Sequence, residues 1–107
     1  MISTHALDLE LGRPAAGLLV RLERMESETP SVVFEGRTDA DGRVRPLLAD
    51  PAPGRYRLTA ALTDYFSSAR PGFFTDVSVT FVVDDPAGHY HVPFLIARAA
   101  CSSYRGS

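Results

Sequence analysis

The sequence predicts an all-β protein, and two observations carry that expectation. Turn-forming clusters recur at short intervals: Gly12-Arg13-Pro14, Asp39-Ala40-Asp41-Gly42, Pro71-Gly72 and Asp84-Asp85-Pro86-Ala87-Gly88. Between them lie short apolar segments in which hydrophobic and polar side chains alternate with a period of two. Many short strands punctuated by turns are the pattern of a β-sandwich or barrel. No linker, repeat or low-complexity tract divides the 107 residues, so one domain over 1–107 is expected.

Ile2 to Leu9 reads as the first strand, closed by Gly12-Arg13-Pro14. In Gly17 to Met25, Leu18, Val20 and Leu22 alternate with Leu19, Arg21 and Glu23, as a half-buried strand requires. Glu26 to Ser31 is a loop and Val32 to Thr38 the third strand. Asp39 to Gly42 then gives a hairpin signal, because Asp-Gly takes up the positive φ of a tight turn. Arg43 is the first residue beyond it, at the mouth of a short strand ending at Leu47. Pro46, Pro51 and Pro53 break the next segment into loop.

Gly54 to Leu62 is a strand with Tyr56, Leu58, Ala60 and Leu62 on one face. Asp64 is placed to N-cap a short helix over Tyr65 to Ala69, stopped by Pro71-Gly72. Phe73 to Val83 alternates again, and Asp84 to Gly88 is a turn. Tyr90 to Ala97 is the last full strand, with a shorter one after it, which makes about eight in all. Tyr90, Val92, Phe94 and Ile96 line one face of this strand, and His91, Pro93, Leu95 and Ala97 the other. A strand of a small sandwich usually shows water one face. A strand apolar on both faces implies that a second subunit covers the outer one, with His91 on the covered side.

Composition bounds the function. Hydrophobic residues at 45% and charged residues at 22% give a chain able to bury a core without disulfides. The net charge is −2 and the eleven basic residues, all arginine, are dispersed, which argues against a nucleic-acid partner. No apolar run approaches the ~20 residues of a membrane helix, and no signal peptide is visible at Met1 to His5. Cys101 is the single cysteine, so no internal disulfide can form and a cytoplasmic location is expected.

The chemistry-bearing residues gather at the end of the chain, in His89 to Ser107 (HYHVPFLIARAACSSYRGS). His89 and His91, two apart on a strand, point to one side and with His5 could form a zinc set. No carboxylate cluster or cysteine pair reinforces that signal, and no metal is expected. Arg43 and Arg105 read by default as solvated arginines, and Cys101 as a small buried thiol. No nucleophile elbow, phosphate loop or zincin helix is present.

Three segments together resemble one family. Thr4 to Ala15 (THALDLELGRPA), Thr38 to Val44 (TDADGRV) and His89 to Ser107, with its closing Tyr104-Arg105-Gly106-Ser107, are similar to 5-hydroxyisourate hydrolase, the transthyretin-related enzyme of urate breakdown. The resemblance runs from the first strand to the last residue. It implies a transthyretin-like, two-sheet sandwich of about eight strands with one short helix. It also implies a homotetramer, a dimer of dimers, with active sites in the channel between dimers. The reaction would open 5-hydroxyisourate to 2-oxo-4-hydroxy-4-carboxy-5-ureidoimidazoline without metal or organic cofactor. Carried over by motif, the catalytic set is His5, Arg43, His91 and Ser107, with His5, Arg43 and Tyr104 binding substrate. The two histidines would orient and activate water, sharing a proton, while Arg43 holds the substrate and stabilises charge on its carbonyl. The segment Ala97 to Ser103 departs from the family's usual turn, which carries proline, glycine and an aromatic residue. The rival expectation is a transthyretin-like carrier of a small ligand, although transthyretins lack the terminal tetrapeptide and the paired histidines.

Overall fold

The computed structural model describes residues 1–107. Its elements are β1 (Ile2–Asp8), β2 (Arg13–Pro14), β3 (Leu19–Arg24), β4 (Ser31–Arg37), β5 (Arg43–Leu48), β6 (Gly54–Ala61), α1 (Leu62–Tyr65), β7 (Asp76–Val83), β8 (Tyr90–His91), β9 (Phe94–Ile96) and β10 (Cys101–Ser103). They form two sheets, one of six strands built around β1 and one of four in the order β4-β3-β6-β7. The expected count of about eight holds once two-residue β2 is set aside and β8 and β9 are read as one interrupted strand. No helix is long and apolar enough to cross a membrane.

The core lies between the sheets, and the sequence alternation explains which side chains fill it. Leu18, Val20 and Leu22 on or beside β3, Tyr56, Leu58 and Ala60 of β6, and Phe94 and Ile96 of β9 are all buried, within a cluster of 17 residues. Each large aliphatic or aromatic side chain so placed contributes about 1.5–3 kcal/mol against exposure. Along β1 the inward positions are Ile2, Thr4, Ala6 and Asp8, all buried. Ser3, His5 and Leu7 therefore project from the opposite, outer face.

Asp8 is a fully buried carboxylate, and its partners account for it. Its oxygens accept the N–H groups of Glu10 and Leu11 at 3.0 Å, the Tyr65 hydroxyl at 2.8 Å and the Arg70 guanidinium at 2.9 Å. Burial alone would raise this carboxyl, but the bonds from Tyr65, Leu11 and Arg70 together hold it below its ordinary value. Tyr65 is conversely pushed up to about 12, by burial and then by Asp8. Asp8→Asn should lower stability by about 2–3 kcal/mol, because an amide cannot accept this whole donor set. The denaturant midpoint should fall with the slope unchanged. The sign of the pH dependence is set by the depressed pKa. The contribution is full above the unfolded value of about 3.9 and disappears as pH falls through the lower folded value. The variant should therefore show a shallower acid limb, and an unaltered midpoint would refute the role.

Four local features differ from expectation. Asp39 to Gly42 is a tight turn, with Gly42 N–H donating to Asp39 O at 2.9 Å, but it does not join paired strands. β4 belongs to the four-stranded sheet, whereas β5 pairs with β1 in the other, so the turn carries the chain between sheets. Pro46, read as one of the residues that break the chain into loop, lies inside β5, which ends at Leu48, one residue past the expected Leu47. The helix is one turn and begins before Asp64. Leu62 is fully buried as the last inward residue of the β6 alternation, and the Thr75 carbonyl accepts the N–H groups of Leu62 and Thr63 at 3.0 and 2.9 Å. That carbonyl takes the place expected of an Asp64 cap, and Asp64 instead pairs with Arg37 at 2.6 Å.

The strand expected over Tyr90 to Ala97 is split at Val92-Pro93. β8 and β9 both run parallel to β1 in one continuous register, with Ser3 opposite His91 and Ala6 opposite Phe94. Pro93 has no N–H to offer the ladder. The Val92 carbonyl takes the Thr4 hydroxyl at 2.6 Å and the Pro93 carbonyl takes the Ser103 hydroxyl at 2.8 Å. Beyond β9, Ala97 N–H donates to Ala100 O at 2.9 Å, so the departing Ala97–Ser103 segment still turns the chain back into antiparallel β10.

Candidate active site

Strand register brings the expected residues together. Ser3 and His5 are two apart on β1 and share its outer face. On one side of β1, His5 stands opposite Arg43 of β5. On the other, Ser3 stands opposite His91 of β8. Neighbours across a ladder project to the same side, so Ser3, His5, Arg43 and His91 form one cluster across three strands. Arg45, two beyond Arg43, extends it.

The turn before β5 aims Arg43. Asp39 Oδ1 accepts the N–H groups of Asp41 and Arg43, both at 2.9 Å. Gly42 has φ +74°, and a Cβ there would stand 2.4 Å from the carbonyl oxygen of Ala6. Only glycine lets the turn lie this close to β1, where Ala6 N–H donates to Gly42 O at 2.8 Å. The residue after that contact is Arg43, which is how it comes to flank His5.

The closing tetrapeptide folds back over β8. Gly106 bridges His91 in the antiparallel sense, its N–H donating to His91 O at 2.8 Å. A Cβ on Gly106 would stand 2.6 Å from His91 Cδ2, so the tail backbone lies directly against the imidazole. The Arg105 guanidinium sits 4.7 Å from the centre of the Tyr90 ring, a cation–π contact that helps hold the tail down. Ser107 follows directly on Gly106 and is exposed at the end of the chain. Tyr104 is not brought to the histidine face. It is 55% exposed and lines an apolar groove with Val79 and Phe81 of β7, Tyr90 of β8 and Val92 just beyond it.

His91 is half-buried, and its surroundings keep it neutral. Burial first, then the nearby His89, Arg43, His5 and Arg45, hold its pKa below the ordinary histidine value. At neutral pH the ring is therefore unprotonated and able to accept a proton. The three histidines do not converge on one point as a metal-binding set.

Two residues not expected at the site are built into it. Ser3 Oγ lies 2.9 Å from His89 Nε2 and 2.9 Å from His91 Nδ1, and only 1% of Ser3 is exposed. Gly106 is the other, since its lack of a side chain lets the tail seat on His91. Ser3 is legible in principle, because period two puts it on the face of His5. Gly106 is not, because a contact between residues fifteen apart through a turn leaves no periodic trace.

A family model, the HIUase/Transthyretin family, matches residues 2–106. The 5-hydroxyisourate hydrolase of Deinococcus radiodurans is 40% identical over 113 residues, spanning 99% of this chain and 95% of the relative. The structure of Klebsiella pneumoniae 5-hydroxyisourate hydrolase superposes with a TM-score of 0.87 at 40% identity, covering 99% of this chain and 97% of the other. Transthyretin from Sparus aurata has a TM-score of 0.88 at 20% identity, over 96% and 93% of the two chains, a likeness of fold alone.

Proposed function

The chain belongs to the HIUase/Transthyretin family, and from that premise we propose that it is a 5-hydroxyisourate hydrolase acting in urate degradation. The observation that carries the reading is the joining of His5, Arg43 and His91 on one sheet face with the tail seated on His91. Hydrolysis of a cyclic acyl-urea C–N bond needs a water deprotonated near neutral pH, and His91, held neutral, suits that task. The water oxygen bonds to the substrate carbonyl carbon, negative charge grows on the carbonyl oxygen, and the ring C–N bond then breaks as its nitrogen takes up a proton. Arg43 presents the donors for the planar, oxygen-rich substrate and for that charge. His5, beside Arg43, orients the water or substrate, and Ser107 completes the hydrogen-bonded wall. The product is 2-oxo-4-hydroxy-4-carboxy-5-ureidoimidazoline, and no step draws on a metal or organic cofactor. A carrier for an apolar ligand has less support, since the cluster is built of imidazoles and guanidinium groups.

The working form we propose is a homotetramer, a dimer of dimers, in the cytoplasm. The cluster lies on the outer face of the sheet, where a second copy would enclose it, and β7 leaves one edge unpaired with Val82 60% exposed. Tyr104, in its groove, would then meet substrate bound against a neighbouring copy.

Hydroxyisourate generated by urate oxidase, with its ultraviolet decay followed on adding the protein, tests the activity. Decay should accelerate well beyond the spontaneous rate, and no acceleration would defeat the hydrolase reading. Gly106→Ala probes the seating of the tail. Its Cβ must displace the His91 ring or lift the tail, and misplacement of this kind can cost about 10²-fold in rate. Turnover should fall by at least tenfold with the melting temperature nearly unchanged. Wild-type turnover in this variant would separate the tail from the chemistry.

A further inference from the structure

We propose that Ser3 is a positioning residue that holds His91 in its Nδ1-protonated tautomer and links it to His89 as a store for the transferred proton. The inference rests on the hydrolase reading for its chemistry, but its geometry stands independently. Ser3 Oγ is 2.9 Å from both His91 Nδ1 and His89 Nε2. The Ser3 backbone is fixed by Val92 N–H, which donates to Ser3 O at 2.9 Å. A hydroxyl carries one proton. Between two neutral imidazoles it can therefore donate to only one ring and must accept from the other.

The two arrangements differ in consequence. If Ser3 donates to His91 Nδ1, the neutral ring carries its proton on Nε2 and has no free lone pair there. If Ser3 instead accepts from His91 Nδ1–H and donates to His89 Nε2, His91 Nε2 is left bare. Only the second arrangement makes His91 a base at the nitrogen directed away from Ser3.

The same hydroxyl offers the proton a route. When water attacks, its O–H bond breaks and His91 Nε2 takes the proton. The Nδ1 proton passes to Ser3 Oγ, and the Ser3 hydroxyl proton passes to His89 Nε2. His89 now carries the positive charge, and His91 is neutral again with a proton on Nε2. As the C–N bond breaks, that Nε2 proton goes to the leaving nitrogen, and the chain reverses to restore both rings. No proton is gained or lost overall. His91 is thus base first and acid second without remaining an imidazolium beside His5 of β1 and Arg43 and Arg45 of β5. The depressed pKa of His91, from burial and then from His89 and these neighbours, agrees with such a need. No direct bond joins His5 to His91, so the path away from His91 runs through Ser3.

Nitrogen-15 NMR of the histidine rings at about pH 8, above the ordinary histidine value of about 6.5, tests the tautomer without reference to activity. Wild-type His91 should be protonated at Nδ1, and Ser3→Ala should shift its population toward the Nε2-protonated form. Wild-type His91 protonated at Nε2, or an unchanged tautomer in Ser3→Ala, would overturn the assignment even if the protein hydrolyses hydroxyisourate well. In turnover, Ser3→Ala should lose about tenfold to a hundredfold in kcat, less than a charged orienting group commands, with KM little changed. His89→Gln keeps an oxygen to accept from Ser3 but cannot store a proton. It should preserve the tautomer yet lose about tenfold in kcat, and unchanged kcat would refute the store. If the wild type fails to hydrolyse hydroxyisourate, the function falls while the NMR result still decides the tautomer.

Discussion

His91→Asn is expected to lower kcat/KM for 5-hydroxyisourate by about 10²–10⁴, the range that general-base catalysis by a positioned side chain supplies. Asparagine keeps a polar group at the end of β8 but has no nitrogen lone pair able to take a proton from water. The pH profile gives an independent reading. Burial and then its basic neighbours hold the His91 pKa below the ordinary histidine value, so the wild-type rate should climb with pH on the acid side of about 6.5. It should already be level at neutrality, because a base works in its unprotonated form. The variant should lose that limb along with its rate. A limb that survives in His91→Asn would belong to another group, with His5 and His89 the ones to replace next. Folding should be little affected, because His91 faces outward and the buried side chains of the segment are its neighbours Tyr90, Val92 and Phe94.

Why the sequence conveys some of this and not the rest is a matter of range. Alternation is local, so period two is enough to name the inward set Leu18, Val20 and Leu22, or Tyr56, Leu58 and Ala60, and the structure buries them. Pairing is not local. Asp39 to Gly42 announces a tight turn, and the turn is there, but nothing in those four residues says that β5 leaves the sheet of β4 to pair with β1. Asp64 misplaces the helix because it has a capping side chain, whereas the donors at the start of α1 are satisfied by the carbonyl of Thr75. The site shows the same division. Resemblance to a family picks out His5, Arg43 and His91, and two registers about β1 make them adjacent. Ser3, which touches two of the histidines, carries no signal of its own beyond its spacing from His5.

Arg43→Ala is expected to lose about 10²–10³ in kcat/KM, the cost of removing one donor aimed at a developing oxyanion, while leaving stability within about 0.5 kcal/mol. The structure separates these two effects. Arg37, Arg57, Arg70 and Arg98 are each engaged by a carboxylate, at 2.6, 2.9, 2.9 and 2.9 Å. Arg43 is in none of the ion pairs, is exposed, and takes its position from its backbone, through the Asp39 turn and the register with His5. An arginine held by its main chain with its guanidinium unengaged is free to meet a ligand, and removing it deprives the fold of little. Arg43→Lys distinguishes charge from geometry. If a single positive charge suffices, lysine should restore most of the rate. If the planar fork must reach two substrate oxygens at once, lysine should recover less than a tenth of it. The second outcome is expected, because a flat cyclic acyl-urea presents its oxygens in the plane that a guanidinium matches. The split of the loss between constants says when the contact matters. A fall in kcat marks charge met in the transition state, whereas a rise in KM alone marks ground-state binding. Near-normal kcat/KM in Arg43→Ala would remove Arg43 from the chemistry, and the donor would then be sought at Arg45 on the same face of β5.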